Sequence, residues 1–305
     1  MHKNMLVRSF SGVRKNNFER QYLNLVSNII KHGDKHYKRN SNVYSLFGAK
    51  MSFCLKHQKI PLLTTKKVAW RTCLKELLWF MNGNTDNTIL QKQQVGIWNG
   101  NASREFLDSR DLYHLKENDL GPVYGHQWRH FNAPYTDCND DYTNKGVDQL
   151  QMVVDQLKDP EERYSRRIIM SAWNPQQLSE MALPPCHVMS QFCVNSKDEL
   201  TCLLYQRSGD VGLGIPFNIA SYSFLTHLLA HHCDLQPKRF IHFIGDAHIY
   251  ENHVEMLKTQ LTRKPFLFPK LSIRNKYDFI DDYTLKDFKI KNYKYNDTLK
   301  MNMIA

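Results

Sequence analysis

The chain has 305 residues, seven cysteines and a formal net charge of +11, and 42% of its residues are hydrophobic. That is enough apolar material for a large folded core, and no apolar run approaches the ~18 residues of a helical membrane span. Seven cysteines without paired spacing exclude a disulfide framework and point to a reducing compartment, the cytoplasm, while the excess charge points to an anionic partner.

No linker, repeat or low-complexity run divides the sequence, so residues 1–305 are expected to form a single domain behind a flexible basic extension over 1–16. Met1 to Arg20 lacks the apolar core of a signal peptide. Phe18, Tyr22, Val26, Ile29 and Ile30 then recur at helical spacing, with Gly33 as a stop. Lys38 to Asn42 reads as a polar loop and Val43 to Leu55 as a strand. Thr65 is expected to cap a helix over Lys66 to Met81, ended before Gly83. Ala69, Cys73, Glu76 and Phe80 share one face of that helix. Apolar neighbours should raise the pKa of the Glu76 carboxyl and suit it to proton transfer near neutrality. Gly121 and Gly125 bracket Tyr124 and predict a turn that exposes its phenol. Phe106 to Asn118 and Asn132 to Gly146 are polar loops. Val147, Leu150, Val153, Val154 and Leu157 form a helix ended by Pro160, and Ser165 to Trp173 runs into a buried strand.

Val188 to Val194 and Glu199 to Arg207 are β-patterned runs around a polar four, Asn195-Ser196-Lys197-Asp198, which reads as a hairpin turn. If Val194 faces Glu199, counting outward places Cys186 opposite Arg207. A thiol and a guanidinium then meet at the open end of one hairpin. The thiolate is the nucleophile, and a free cysteine with pKa about 8.5 is only a few per cent ionised at neutral pH. A cation about 4 Å away raises that fraction. Pro184-Pro185 fixes the backbone before Cys186, and a glycine-rich loop from Ser208 to Tyr222 follows Arg207. A helix with Tyr222, Leu225, Leu228 and Leu229 as its apolar face runs on to about Asp234. His227 and His231 stand at a metal-binding spacing, but no second ligand pair accompanies them, so no metal is expected. Phe240 to Ile244 is a strand, and short strands and loops complete the chain.

Leu183-Pro184-Pro185-Cys186-His187, Gln206-Arg207-Ser208-Gly209-Asp210 and Pro216-Phe217-Asn218-Ile219-Ala220-Ser221-Tyr222, in that order, resemble the thymidylate synthase family of the folate-dependent, eukaryotic-like type. The likeness runs from about Arg20 to the last residue. It implies an α+β fold, a large mixed β-sheet flanked by helices and paired sheet to sheet in a homodimer. It implies methylation of 2′-deoxyuridine 5′-monophosphate (dUMP) to dTMP, with 5,10-methylenetetrahydrofolate giving both the carbon and a hydride and leaving as dihydrofolate. By the same resemblance Cys186 adds to pyrimidine carbon 6, and water aided by Glu76 and Tyr124 removes the carbon 5 proton. His187 supports the water network near the ring carbonyl. Arg207 and Ser208 hold the phosphate with Arg39, which counting forward from Gly33 selects, or with Lys38, which counting back from Phe47-Gly48 selects; Arg39 is preferred for its guanidinium fork. Asn218 bonds the uracil edge, and His248 and Tyr250 hold the sugar hydroxyl. Arg166 and Arg167 reach the phosphate in the partner subunit. Ile97, Trp98, Asn101, Leu213, Gly214, Phe217 and Met303 line the folate site, and Asp210 contacts the pterin. The final segment, Lys300 to Ala305, resembles the one that closes over the ligands. Asn99 stands where an aspartate is usual.

A related hydroxymethylase would add water in place of hydride, and its cytosine-specific form tends to carry aspartate where this chain has Asn218. An amide both donates and accepts, which suits uracil. A different class, weak RNA binding, is motivated by the charge alone, because no RNA-binding motif is visible.

Overall fold

The structure, a computed structural model, describes residues 18–38 and 41–303. The basic extension over 1–16, Arg39 and Ala305 lie outside the described residues. Six strands, β1 (Asp34–Lys38), β2 (Ser41–Cys54), β3 (Ile169–Ser171), β4 (His187–Val194), β5 (Glu199–Asp210) and β6 (Gln236–Tyr250), form one sheet in the order β1-β2-β6-β5-β4-β3. β5 and β6 pair in parallel and every other neighbour pairs antiparallel, so the sheet is mixed. A small antiparallel pair, β7 (Lys270–Ile273) and β8 (Phe288–Lys291), stands apart. The helices are α1 (Glu19–His32), α2 (Trp70–Met81), α3 (Asn87–Lys92), α4 (Arg104–Asp108), α5 (Tyr124–Arg129), α6 (Gln149–Lys158), α7 (Gly214–His232) and α8 (Val254–Leu261).

A parallel pair needs a crossover, and α7 supplies it between β5 and β6. It starts earlier than its sequence suggests. Pro216 to Tyr222 belongs to the helix rather than to a loop, because a proline in the first turn has no intrahelical N–H bond to lose. Nor does α7 have a single apolar face: all its residues except Gly214, Phe217 and His231 are buried. Such a helix lies in the core. Gly209 lets the start of α7 come down on β5, since a Cβ there would lie 2.4 Å from Ile215 Cδ1.

The hairpin between β4 and β5 pairs as expected at its open end, but by another route. The turn closes on Asn195 and Glu199 (Asn195 N–H donates to Glu199 O, 3.2 Å) with Asp198 at φ 52°. Val194 therefore faces Leu200, one residue out of the expected register. An irregularity between His187 and Met189 removes that offset, so His187 faces Gln206 and Arg207 N–H donates to Cys186 O at 2.9 Å.

Several other boundaries differ. The second helix begins at Trp70 and Thr65 does not cap it. Thr64 and Thr65 instead direct their N–H and O–H groups, at 2.6–2.9 Å, onto the fully buried carboxylate of Glu19. The run from Ser165 contributes only the three-residue edge strand β3, with Ile169 exposed. β6 does not stop at Ile244 but continues to Tyr250, and α8 lies in a region read as loops. No helix among the described residues is long and apolar enough to cross a membrane.

Candidate active site

Parallel pairing brings the C-terminal ends of β5 and β6 to the same edge of the sheet. There, beside the start of α7, lies a cavity of about 840 Å³. Cys186, half-buried, sits on its wall just before β4. The Arg207 guanidinium fixes the turn that presents it, with Nε donating to Pro185 O (2.9 Å) and Nη2 to Pro184 O (2.7 Å). Its carbon lies 5.6 Å from the centre of the Trp173 ring. The remaining guanidinium N–H groups are a fork suited to a bound anion.

The phenol of Tyr124 is not exposed. Tyr124 opens α5, is 3% exposed, and accepts a hydrogen bond from Cys186 N–H at 2.7 Å. Burial, with the nearby Cys186, pushes its pKa far above the ordinary range, so it remains a neutral O–H. Its ring packs on Phe80 (4.7 Å) and His187 (5.1 Å). The glycine expected to free a turn serves close packing instead: a Cβ on Gly125 would lie 2.5 Å from Asn84 O.

A chain of hydrogen bonds sets the polarity of Asn218. Gln206 donates from Nε2 to Ser208 O (2.9 Å) and to Asn218 Oδ1 (2.9 Å). A backbone carbonyl can only accept, so this end of Gln206 must be its NH₂, and Gln206 Oε1 then accepts from His242 Nε2 (2.8 Å). Asn218 Nδ2 is left to donate to His187 Nε2 at 2.7 Å. Burial lowers the His187 pKa to about 4 and the His242 pKa to about 3, which keeps both rings neutral. Asn218 can thus offer both a donor and an acceptor to a ligand, in a fixed order.

Glu76 on α2 faces the same cavity. Burial raises its pKa from 4.5 to about 7, against the lowering effect of Trp98 Nε1–H donating to Oε1 at 2.8 Å. Ile97, Trp98, Leu213, Phe217 and Met303 form a largely apolar wall, with Asn101 and Gly214 beside them. Asp210, at the end of β5, accepts from Gly212 N–H (2.8 Å) and Leu213 N–H (3.2 Å) and so shapes the entry to α7. Ser208, His248 and Tyr250 complete the wall, the last two on one side of β6 by strand alternation.

Arg166 and Arg167 are exposed and are not part of this wall. Three buried residues on or beside it escaped the sequence reading. Gln206 sits inside a quoted motif, and its inward position follows from alternation along β5. Lys66 donates to Gly212 O, and burial lowers its pKa to about 8. His253 lies behind Asp210. His227 and His231 each bond a backbone carbonyl, of Lys59 and Asn275. In the acidic group Asp119, Asp137 and Cys138, the last two lie in the second polar loop and Asp119 directly follows the first. There Asp119 accepts from Gly121 N–H, Cys138 N–H and Tyr135 O–H, and Lys116 donates to Asp137.

The profile of the family described as Thymidylate synthase matches residues 20–305. The maize protein "Bifunctional dihydrofolate reductase-thymidylate synthase" is 52% identical over 287 residues, covering 93% of this chain and 54% of that protein. The Plasmodium chabaudi protein of the same description is 50% identical over 293 residues, covering 95% and 49%. The "Thymidylate synthase" of Saccharomyces cerevisiae is 50% identical over 299 residues, covering 95% of this chain and 98% of that one. The chain spans about half the length of the bifunctional relatives it matches.

Proposed function

The chain belongs to the thymidylate synthase family, and from that premise we propose that it methylates dUMP to dTMP with 5,10-methylenetetrahydrofolate as donor. The observation that carries this reading is the arrangement of Cys186, Arg207 and Asn218. A thiol stands on a turn clamped by a guanidinium, across the cavity wall from an amide of fixed polarity.

Cys186 adds to carbon 6 of the uracil ring and makes carbon 5 nucleophilic, which is covalent catalysis of an otherwise unreactive ring. Arg207 and Ser208 take the phosphate. Asn218 Nδ2 donates to the ring carbonyl and Oδ1 accepts from the ring N–H, the order that matches uracil and mismatches cytosine. His248 and Tyr250 hold the sugar. Glu76, with a pKa near the working pH, exchanges the carbon 5 proton through water, and the neutral Tyr124 hydroxyl passes it on. His187, neutral, keeps the water near the ring oriented. The folate would supply the one-carbon unit to carbon 5 and then the hydride, leaving as dihydrofolate, while the bond from Cys186 to carbon 6 breaks and releases dTMP. The apolar wall of Ile97, Trp98, Leu213, Phe217 and Met303 suits its aromatic rings, and Asp210 suits the N–H edge of a pterin.

The active form is a cytoplasmic homodimer in this proposal. One face of the sheet is covered by α7, while Leu203, Tyr205 and Ile169 lie on the other, with Tyr205 and Ile169 38% and 40% exposed. Pairing two such faces would cover that apolar surface and bring the exposed Arg166 and Arg167 toward the partner's Arg207.

Tritium release from dUMP labelled at carbon 5 tests the reaction. Release should depend on the folate donor and fall by about 10³-fold or more in Cys186→Ala. Equal release by both proteins would remove the catalytic assignment, and a hydroxymethylated product would replace the reduction step with hydration.

A further inference from the structure

His253 follows β6 directly, in the turn Glu251–His253, and its side chain is fully buried. Nε2 lies 2.7 Å from the backbone carbonyl of Asn302. A carbonyl can only accept, so Nε2 carries a hydrogen. The other nitrogen, Nδ1, is buried without a hydrogen-bond partner and lies 3.6 Å from Asp210 Oδ1. A neutral ring would turn a lone pair on Nδ1 toward a carboxylate, whereas a protonated ring would place N–H there and satisfy both sides. Gly212 makes the approach possible, because a Cβ at that position would lie 2.7 Å from His253 Nδ1 and 3.2 Å from Asp210 Oδ1.

Residues 299–303 have no regular structure and carry Met303 to the cavity wall. Apart from the bond to His253, no hydrogen bond joins them to the body among the described residues. We infer that His253 is a positioning residue for the folate half of the site, an imidazolium that ties this strap to the Asp210 carboxylate so that both are held at the cavity mouth together. The inference rests on the folate reading of the pocket given above.

The charged groups around the ring agree with this. Burial pushes its pKa down, Asp210 on β5 and the Asn302 carbonyl push it up, and Lys66 in the segment before α2 pushes it down. The net direction is upward. The ring of Tyr250 on β6 packs against it at 5.6 Å and adds no charge. With the folded pKa above the ordinary 6.5, the tie is complete below about pH 6.5 and is lost as pH rises through the raised value.

Two readouts test the tie. Lys300 is exposed, so trypsin cleavage after it reports on the strap without any ligand. In His253→Phe the cleavage rate and the KM for the folate donor should each rise about tenfold, as expected for loss of a charge-assisted bond, while dUMP affinity stays within about twofold. His253→Gln keeps a donor for Asn302 O but no charge. It should fall between wild type and His253→Phe, and its folate KM should not vary with pH where the wild-type value climbs as pH rises through the raised pKa of His253. Wild-type cleavage at Lys300 in both variants would overturn the tie. So would dUMP affinity and melting temperature falling in step with folate affinity, which would make the residue a plain packing element. Faster cleavage with no change in folate KM would keep the tie and remove the folate reading instead.

Discussion

The two halves of the cavity are held by different means. On the proposed nucleotide side Ser208, Arg207, His248 and Tyr250 sit on β5 and β6, Cys186 adjoins β4, and Asn218 stands in the first turns of α7. Their positions follow from strand register, and the hydrogen-bond chain from His242 to His187 removes the remaining freedom of the amide. On the proposed folate side Gly214 and Phe217 open α7 and Asp210 ends β5, but Trp98, Asn101 and Leu213 lie in turns, and Met303 lies in an irregular strap. The half proposed to form the covalent bond is held by strand register and hydrogen bonds without any ligand. The half proposed to receive the one-carbon donor takes part of its wall from turns and from the strap. Sub-ångström placement is worth most where a bond must form, and the division follows that need.

Glu76 stands between the halves, and its substitution has the largest expected effect outside Cys186. Glu76→Gln keeps an acceptor for Trp98 Nε1–H but cannot exchange protons, so turnover should fall by roughly 10²–10³-fold with dUMP binding intact. Stability should move the other way. The unfolded carboxyl ionises near 4.5 while the folded one holds its proton to about 7. Over that window the folded state binds more protons and wild-type stability falls as pH rises. By pH 8 the wild type carries a cost of up to about 3 kcal/mol that the amide avoids. Denaturant titrations at pH 4 and pH 8 would show the difference. A variant that is slow but gains no stability at pH 8 would mean that Glu76 is not held in a desolvated state.

Arg207→Lys separates the halves more cleanly. A lysine ammonium has no planar fork, so it cannot keep the bonds to Pro184 O and Pro185 O and still meet a phosphate. Affinity for dUMP, read by calorimetry, should weaken roughly tenfold. Alkylation of Cys186 should slow in step, because the turn that carries it loosens. Folate-analogue binding to an already formed nucleotide complex should change little. An equal loss on both sides would show that the two halves are not independently supported.

The sequence is informative where local pattern and tertiary geometry agree, and less so elsewhere. The pairing of Cys186 with Arg207 is right although the register at the turn is one residue out. A three-residue loop with Asp198 at positive φ and the irregularity near Val188 compensate each other, and neither shows in an alternating pattern. Pro216 stands in the run read as a loop, yet the first turn of a helix tolerates a proline. Thr65 has the chemistry of a cap, but the buried Glu19 carboxylate, far away in sequence, claims it. The raised pKa of Glu76 was legible in its direction from Cys73 and Phe80 on its own helix, although the burial behind it also draws on Trp98 and Tyr124, distant in the chain. The role of His253 was not, because its two partners are contributed by β5 and by a strap 49 residues further on. Lys66 escaped for the same reason: its partners, Gly212 and Asp210, are distant in the chain.

The smallest effect expected is at Asn99, where an aspartate is usual in the family that the sequence resembles. The position adjoins Trp98 of the proposed folate wall. Its side chain instead points to α3: Oδ1 accepts from Asn87 Nδ2 at 3.0 Å and from Gln91 Nε2 at 3.1 Å, and the residue is exposed and absent from the cavity wall. Asn99→Asp keeps both accepted bonds and adds a charge in contact with water. The folate KM should stay within about twofold, and stability within about 0.5 kcal/mol. A larger shift in KM with unchanged dUMP affinity would mean that the turn from 96 to 101 passes strain directly to Trp98. Trp98 bonds Glu76, so such a shift should move the pH profile of turnover with it. A shift in KM that left that profile in place would confine the effect to the apolar wall.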